Sequence, residues 1–183
     1  MEKIYRELEN GEIVKGIGLP AFIHNVSYHC VLIKIYQDGV IDCWEQVDFE
    51  GFVEKVRCGW VVTQLPKGAD ISLTHSFYGK TDQLETYVKE EEFIKEVKDT
   101  LDEINGKPTS SDRCRKAFTA YLSDTTESAK KLLEKEYNSI PEHLRIYVLG
   151  DMDSKDGAIR YILSGEVPDE ETFNYWREQY RNR

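Results

Sequence analysis

The stretch from Tyr28 to Leu65 constrains the fold more than any other part of the chain. Residues 28–36 (YHCVLIKIY) are apolar and rich in β-branched and aromatic side chains, which pack well on a pleated sheet. The dipeptide Asp38-Gly39 separates them from a second apolar run at 41–46. Asp-Gly between two such runs is typical of a β-hairpin, because both central residues must tolerate positive φ. We therefore expect a hairpin at this point.

The hydrophobic period changes to that of a helix directly after this hairpin. Helical spacing relates Phe49, Phe52, Val53 and Val56. Asp48 is suited to cap the start of such a helix, and a glycine at 59 is suited to end it. Residues 60–65 (WVVTQL) return to a strand pattern.

The segments on either side of residues 28–65 are also predicted to form strands, with one further helix. Residues 4–8 and 12–16 surround Asn10-Gly11, which predicts a first hairpin. Gly16, Gly18 and Pro20 predict a bulge or bend before the next strand. Further strands are expected at 71–78 and 84–88, and a helix at 90–104.

The second half of the chain is predicted to be mostly helical, and residues 142–149 are compatible with either a helix or a strand. Expected helix caps are Ser110 or Ser111, Thr125, Asp153 or Ser154, and Asp169. Strands followed by helices predict an α+β protein, with a mainly antiparallel N-terminal sheet and a mostly helical C-terminal half. Lys107-Pro108 marks the expected boundary between a β-rich region, 1–106, and a helical region, 107–183. The helical region is either a separate domain or a layer of the same domain.

Charge and composition narrow the class of function. The 183 residues carry 34 acidic and 24 basic side chains, with net charge −3 over residues 1–80 and −7 over residues 81–183. An acidic surface repels phosphate backbones, so nucleic-acid binding is not expected, while a basic protein partner is compatible. No apolar run approaches the roughly 20 residues that span a bilayer, so no membrane association is expected. The N-terminus lacks a signal-peptide pattern and the four cysteines lack a Cys-x-x-Cys pair, which favours buried free thiols in a cytoplasmic protein.

Residues 151–157 (DMDSKDG) are the most pointed candidate for a metal site. Asp151, Asp153 and Asp156 offer three carboxylates ahead of a glycine, as hard cations require. The spacing departs from an EF-hand, because lysine holds the fifth position and glycine the seventh rather than the sixth. The alternative is an acidic loop at a helix N-terminus. A zinc site among His24, His29, Cys30 and Cys43 lacks a closely spaced ligand pair, so structural roles are favoured for these residues.

Two surfaces are candidates for binding. The sheet face around Tyr28, His29, Asp42 and Trp44 is a candidate ligand site. The aromatic stripe Phe173, Trp176 and Tyr180 on the last helix is a candidate partner surface, with packing inside the chain as the alternative.

Nothing in the sequence designates a catalytic residue or a cofactor. There is no Gly-x-Ser-x-Gly elbow, and no cysteine stands in a recognisable catalytic context. The leading hypothesis is a non-enzymatic protein-binding module, such as an inhibitor, an immunity-type protein or a regulatory protein. The alternative is a small-molecule-binding protein or hydrolase that uses the sheet face, with a metal ion at Asp151, Asp153 and Asp156. The oligomeric state is not specified by the sequence.

Overall fold

The protein has an α+β fold, as the sequence predicts. A computed structural model of the chain describes residues 2–74, 77–82, 86–150, 155–166 and 168–180. A mainly antiparallel sheet of eight strands forms the N-terminal part, and the C-terminal half is mostly helical. The chain divides into two compact units, unit 1 (1–107) and unit 2 (108–183), which we describe one at a time.

The long hairpin of the second and third strands is the centre of the sheet in unit 1. The strands are β1 (Glu2–Glu7), β2 (Ile13–Asn25), β3 (Ser27–Tyr36), β4 (Ile41–Asp42), β5 (Gln46–Val47), β6 (Val61–Val62), β7 (Asp70–Thr74) and β8 (Phe77–Lys80). They pair in the order β1-β2-β3-β4-β5, with β6 on β2, β7 on β3 and β8 on β7. The β3–β7 pair is parallel and the other pairs are antiparallel.

One face of this hairpin forms the core of unit 1 together with two helices. The helices are α1 (Phe49–Arg57) and α2 (Glu90–Ile104). Buried side chains from both strands and both helices pack together: Leu19, Ile23, Ile33, Ile35, Phe52, Val56, Phe93 and Val97. Asp48 caps α1 as predicted, since its Oδ1 accepts a 2.8 Å hydrogen bond from the backbone N–H of Gly51.

The glycines at 16 and 18 do not bend the chain, so the expectation of a bulge or bend there is wrong. Strand β2 runs unbroken through both positions. A Cβ on Gly16 would lie 2.7 Å from Cδ1 of Tyr36, and one on Gly18 would lie 3.2 Å from Cδ1 of Leu32. A Cβ has no room at Gly16 and little room at Gly18, because these neighbouring side chains lie close against the strand.

Three predicted strands are shorter or divided. The run 41–46 is interrupted between β4 and β5, and the run 60–65 is a strand only at β6. The run 71–78 is divided between β7 and β8. Of the run 84–88, residues 84 and 85 lie outside the described residues, and residues 86–88 are not in a strand.

Unit 2 is built from helices around a second core. They are α3 (Ser110–Ser123), α4 (Glu127–Ser139), a 3₁₀ helix (Glu142–Tyr147), α5 (Gly157–Leu163) and α6 (Glu170–Tyr180). Thr109 and Thr126 cap α3 and α4, one residue away from the predicted caps. The core contains Cys114, Phe118, Leu133, Ile140, Ile159 and Ile162. Within the described part of the chain, no helix combines the length and apolarity needed to cross a membrane.

Candidate functional site

The four predicted ligand residues divide between the two faces of the sheet. His29 pairs with buried Ile23 and lies on the face that the helices cover. Tyr28 lies on the opposite face, where its ring stacks on His24 with centroids 4.3 Å apart. Asp42 also belongs to that face through its 3.1 Å ion pair with Lys34.

An aromatic patch forms where the β4–β5 loop meets the start of β3. We define the aromatic patch as His29, Trp44 and Trp60. The ring centroids of His29 and Trp44 are 4.9 Å apart at 52°, and those of Trp44 and Trp60 are 6.3 Å apart at 76°. The indole N–H of Trp60 donates a 3.1 Å hydrogen bond to the carbonyl oxygen of Cys43, which ties the patch to the loop. The structure therefore joins two of the predicted residues, His29 and Trp44, to Trp60, which the sequence marks only as a strand residue.

Trp44 occupies an unfavourable backbone conformation for its side chain. Its φ is +72°, in the left-handed region, where a residue with a Cβ loses roughly 1–2 kcal/mol. Its backbone N–H donates to Oδ1 of Asp42 at 3.1 Å, and the N–H of Cys43 donates to the carbonyl oxygen of Glu45 at 3.1 Å. A three-residue hairpin loop usually places glycine at such a position. Half of the Trp44 surface is nevertheless exposed. Strain of this kind is concentrated at functional sites, so Trp44 is a candidate residue for one.

A lysine and a glutamate border the aromatic patch. Nζ of Lys55 lies 2.6 Å from Oε2 of Glu45 and 5.2 Å from the centroid of the Trp60 ring. The hydrogen bond from this lysine to Glu45 raises the pKa of the lysine above its usual value. The Trp60 ring and the Glu45 carboxylate therefore already bind one cation, the ammonium group of Lys55.

The wider electrostatic setting of the patch is acidic. Unit 1 carries twenty acidic and twelve basic side chains, net −8, whereas unit 2 has a net charge of −2. Helix α2 alone contributes seven acidic and two basic residues. Most of the negative charge of the protein therefore belongs to the unit that presents Trp44.

The histidines and cysteines considered for a zinc site, for which the sequence favours structural roles, are engaged in other contacts, buried or exposed singly. Nε2 of His29 lies 3.1 Å from Oγ of Ser27. Cys43 is buried, and desolvation raises the pKa of its thiol, which disfavours the thiolate that a metal requires. The cysteines at 30 and 58 are exposed, contrary to the expectation of buried thiols. Among the residues that the structure describes, no group of three or more histidine, cysteine or carboxylate side chains is placed to hold a metal ion.

The acidic loop is described only at its last carboxylate. Asp151 and Asp153 lie outside the described residues. Asp156 is buried, its Oδ2 accepts a 2.6 Å hydrogen bond from the hydroxyl of Tyr137, and its Oδ1 lies 3.1 Å from Nε of Arg160. Both oxygens of Asp156 thus face partners within unit 2, and the metal site remains a prediction.

The aromatic stripe of α6 packs within unit 2. Phe173 contacts Tyr121 with ring centroids 6.4 Å apart, and Tyr180, which is 4% exposed, contacts Phe118 at 5.3 Å. Trp176 makes an edge contact with Tyr161 at 6.0 Å. These contacts account for much of the stripe, and a partner role for it remains a prediction.

Two clefts lie away from the predicted ligand residues. One, of about 220 Å³, lies in unit 2 and is lined by Thr119, Leu122, Ser123, Arg177, Glu178 and Tyr180. The other is an open groove of about 530 Å³ near the start of α2, lined by Val56, Arg57, Gln64, Lys89, Glu90, Glu91 and Glu92. Neither is lined by Tyr28, His29, Asp42 or Trp44.

The fold and this patch define an acidic α+β protein with an exposed aromatic surface on its sheet-bearing unit. The chain belongs to the family described as "Domain of unknown function (DUF7638)", whose model matches residues 3–108. A second family, "Domain of unknown function (DUF7639)", matches residues 109–181. Comparisons with curated proteins and with solved structures gave no match.

Proposed function

We propose that this chain is a non-enzymatic cytoplasmic binding protein that docks a basic protein partner on the aromatic patch of unit 1. An inhibitor, an immunity-type protein or a regulatory protein has this character. The observation that supports the proposal most directly is Trp44, which is half exposed on a left-handed backbone. Tryptophan is enriched among the residues that contribute most to protein–protein binding, and strain of this kind is concentrated at functional sites.

The charge of unit 1 supports a basic partner. A net charge of −8 on the unit that presents the patch would speed the encounter with a positively charged protein and repel an acidic one. The same charge disfavours nucleic acid, whose phosphates it would repel.

The arrangement of the sheet supports a docking surface over a small-molecule site. The candidate ligand residues Tyr28 and His29 lie on opposite faces, so they do not converge on one bound molecule. Along the middle of β2 and β3, the face that includes His29 is filled by the side chains of α1 and α2. Small-molecule sites are usually concave and enclose most of the ligand surface.

The cysteines support the cytoplasmic part of the proposal. All four are unpaired, and Cys30 and Cys58 are exposed. Exposed free thiols suit a reducing compartment, because an oxidising one would favour their conversion to disulfides.

Capture experiments with matched variants test the proposal. The tagged full chain, the Trp44→Gly variant and the Tyr5→Ser variant are exposed to lysate of the source cell at low and high salt. Trp44→Gly removes the ring while fitting the backbone, and Tyr5→Ser removes a different exposed aromatic side chain. We expect the parent chain and Tyr5→Ser to retain one stoichiometric basic protein at low salt, and Trp44→Gly to lose it.

Either of two results would overturn the proposal. One is the absence of any stoichiometric partner, which would favour the small-molecule alternative. The next measurement would then be a thermal-shift screen with ligands and metals. The other is a partner that Trp44→Gly retains as well as the parent chain does, because docking would then not involve the patch.

A further inference from the structure

The contacts of Lys55 show that the edge of the aromatic patch can bind a cationic group. Its ammonium group lies over the Trp60 ring at 5.2 Å from the centroid and contacts Glu45 at 2.6 Å. A cation over an indole face is attracted by the ring quadrupole, and a carboxylate within contact distance adds direct charge pairing. Lys55 lies on α1. Its carbonyl oxygen accepts a 3.0 Å hydrogen bond from the backbone N–H of Trp60, which holds Trp60 close to the end of this helix.

The internal cation leaves part of the site exposed to solvent. The Glu45 side chain is 58% exposed, and it contacts Lys55 through Oε2. Trp44 is half exposed and stands nearly perpendicular to Trp60, at 76°. Trp44 therefore offers exposed indole surface to a planar cation, in ring contact with a second indole and next in sequence to a solvent-accessible carboxylate.

We propose that Trp44, Trp60 and Glu45 form a receptor for an arginine side chain of the basic partner, and that Lys55 is its internal competitor. This inference rests on the proposed function and names the chemistry that the partner presents. Arginine fits better than lysine because its guanidinium is planar, stacks on aromatic rings and can pair with a carboxylate through two N–H groups. The acidic charge of unit 1 favours the same class of ligand.

Lys55 should compete with an arginine ligand for the Trp60 ring and the Glu45 carboxylate. Removing the Lys55 ammonium frees both the Trp60 face and the Glu45 carboxylate, so an arginine ligand should bind more tightly. Removing a lysine elsewhere makes the protein equally more acidic without opening the receptor. Lys67 is a suitable control because its exposed side chain pairs with Asp82 at 3.7 Å and not with Glu45 or Trp60.

The test uses the full chain and a capped hexa-arginine peptide, with capped hexa-citrulline as the uncharged probe of the same shape. Calorimetry compares the parent chain with Trp44→Leu, Lys55→Gln and Lys67→Gln at fixed ionic strength. Trp44→Leu keeps the net charge and an apolar side chain, so it isolates the aromatic ring. Circular dichroism and thermal melting establish that each variant is folded, and Lys55→Gln tests the receptor without altering Trp44.

We expect Trp44→Leu to weaken hexa-arginine binding about threefold to fivefold, the size of an exposed cation–π contact. We expect Lys55→Gln to tighten binding severalfold beyond Lys67→Gln, and hexa-citrulline to bind to none of the proteins. Equal affinities for Lys55→Gln and Lys67→Gln, or for Trp44→Leu and the parent chain, would overturn the receptor. If those equalities occur while Trp44→Gly still loses the captured partner, the arginine receptor fails and the proposed function stands. If the peptide results are as expected but the captured partner does not depend on Trp44, the proposed function fails instead.

Discussion

The hydroxyl of Tyr137 donates a 2.6 Å hydrogen bond to Oδ2 of Asp156 inside unit 2, where both side chains are buried. Burial raises the pKa of the Tyr137 phenol, and the neighbouring carboxylate raises it further, so the tyrosine stays a hydrogen-bond donor. Tyr137→Phe keeps the ring but leaves a buried carboxylate oxygen without its donor. We expect it to lower the free energy of unfolding by about 1–3 kcal/mol in a urea titration.

The matched control for this change is Tyr175→Phe, which removes a hydroxyl from a tyrosine that is 59% exposed on α6. We expect that change to stay within about 0.5 kcal/mol of the parent chain. Equal unfolding midpoints for Tyr137→Phe and Tyr175→Phe would show that the buried hydrogen bond contributes nothing to the stability of unit 2.

The two glycines of β2 should respond unequally to alanine. At Gly16 a Cβ would lie 2.7 Å from Cδ1 of Tyr36 and 2.8 Å from the backbone oxygen of Ile35, which cannot move away without disturbing the sheet. At Gly18 the nearest atoms are Cδ1 and Cβ of Leu32, at 3.2 and 3.3 Å, so a Cβ is less crowded there than at Gly16. We expect Gly16→Ala to cost about 1–3 kcal/mol and Gly18→Ala under about 1 kcal/mol in chemical denaturation. The reverse order of the two costs would contradict this packing account.

These glycines also show where sequence reasoning reaches its limit. The hairpin at Asp38-Gly39, the cap at Asp48 and the helical stripes depend on residues close in sequence, and the structure confirms them. The need for glycine at Gly16 depends on Tyr36, which the hairpin brings opposite it from twenty residues away. A local pattern cannot distinguish that requirement from a bend.

The aromatic patch was only partly predictable for the same reason. Trp44 and His29 were candidates because both lie in or beside the central hairpin. Trp60 lies after a helix and Lys55 within one, and only the packing of α1 on the sheet brings them to the loop. Alternation along β3 would have separated Tyr28 from His29, because neighbouring residues of a strand face opposite sides.

The left-handed backbone of Trp44 should affect the stability of variants at this position whether or not a partner is bound. Both Trp44→Gly and Trp44→Ala lose the ring contacts with His29 and Trp60, but only glycine adopts φ near +72° without a Cβ clash. We therefore expect the glycine variant to be more stable than the alanine variant by about 1 kcal/mol. Thermal melting of the two purified variants measures the difference, and a more stable alanine variant would exclude strain at this position.

Cys114 should make unit 2 sensitive to alkaline pH. Burial raises the pKa of its thiol from 9.0 to about 12. The folded state therefore holds this proton more tightly than the unfolded state does. Its contribution to stability is complete below pH 9, declines as the pH rises from 9 and is lost near pH 12. Removing the thiol should flatten that decline.

The measurement is urea unfolding of the parent chain and Cys114→Ala between pH 8 and pH 11, with reductant present. The alanine variant is less stable at pH 8 because it leaves a cavity. We expect its deficit to shrink with pH by as much as about 1.4 kcal/mol per pH unit above 9. A deficit that stays constant across this range would show that the thiol does not titrate on unfolding. The other titrating groups are shared by both proteins and cancel in the comparison.

The division of the chain near residue 107 predicts two segments that fold independently. Each compact unit has its own buried cluster, with Phe52 and Phe93 meeting in unit 1 and Phe118 and Tyr180 in unit 2. The two family models also meet at residues 108 and 109.

We expect the separate fragments 1–107 and 108–183 each to melt cooperatively, with sheet-rich and helical circular dichroism respectively. The shorter fragment should melt at the lower temperature, because a smaller chain buries a smaller fraction of its surface. A fragment 108–183 that shows no cooperative transition would mean that this helical segment is a layer of one larger domain. In that case Tyr137→Phe should destabilise the whole chain in a single transition, whereas independent units should confine its effect to one of two.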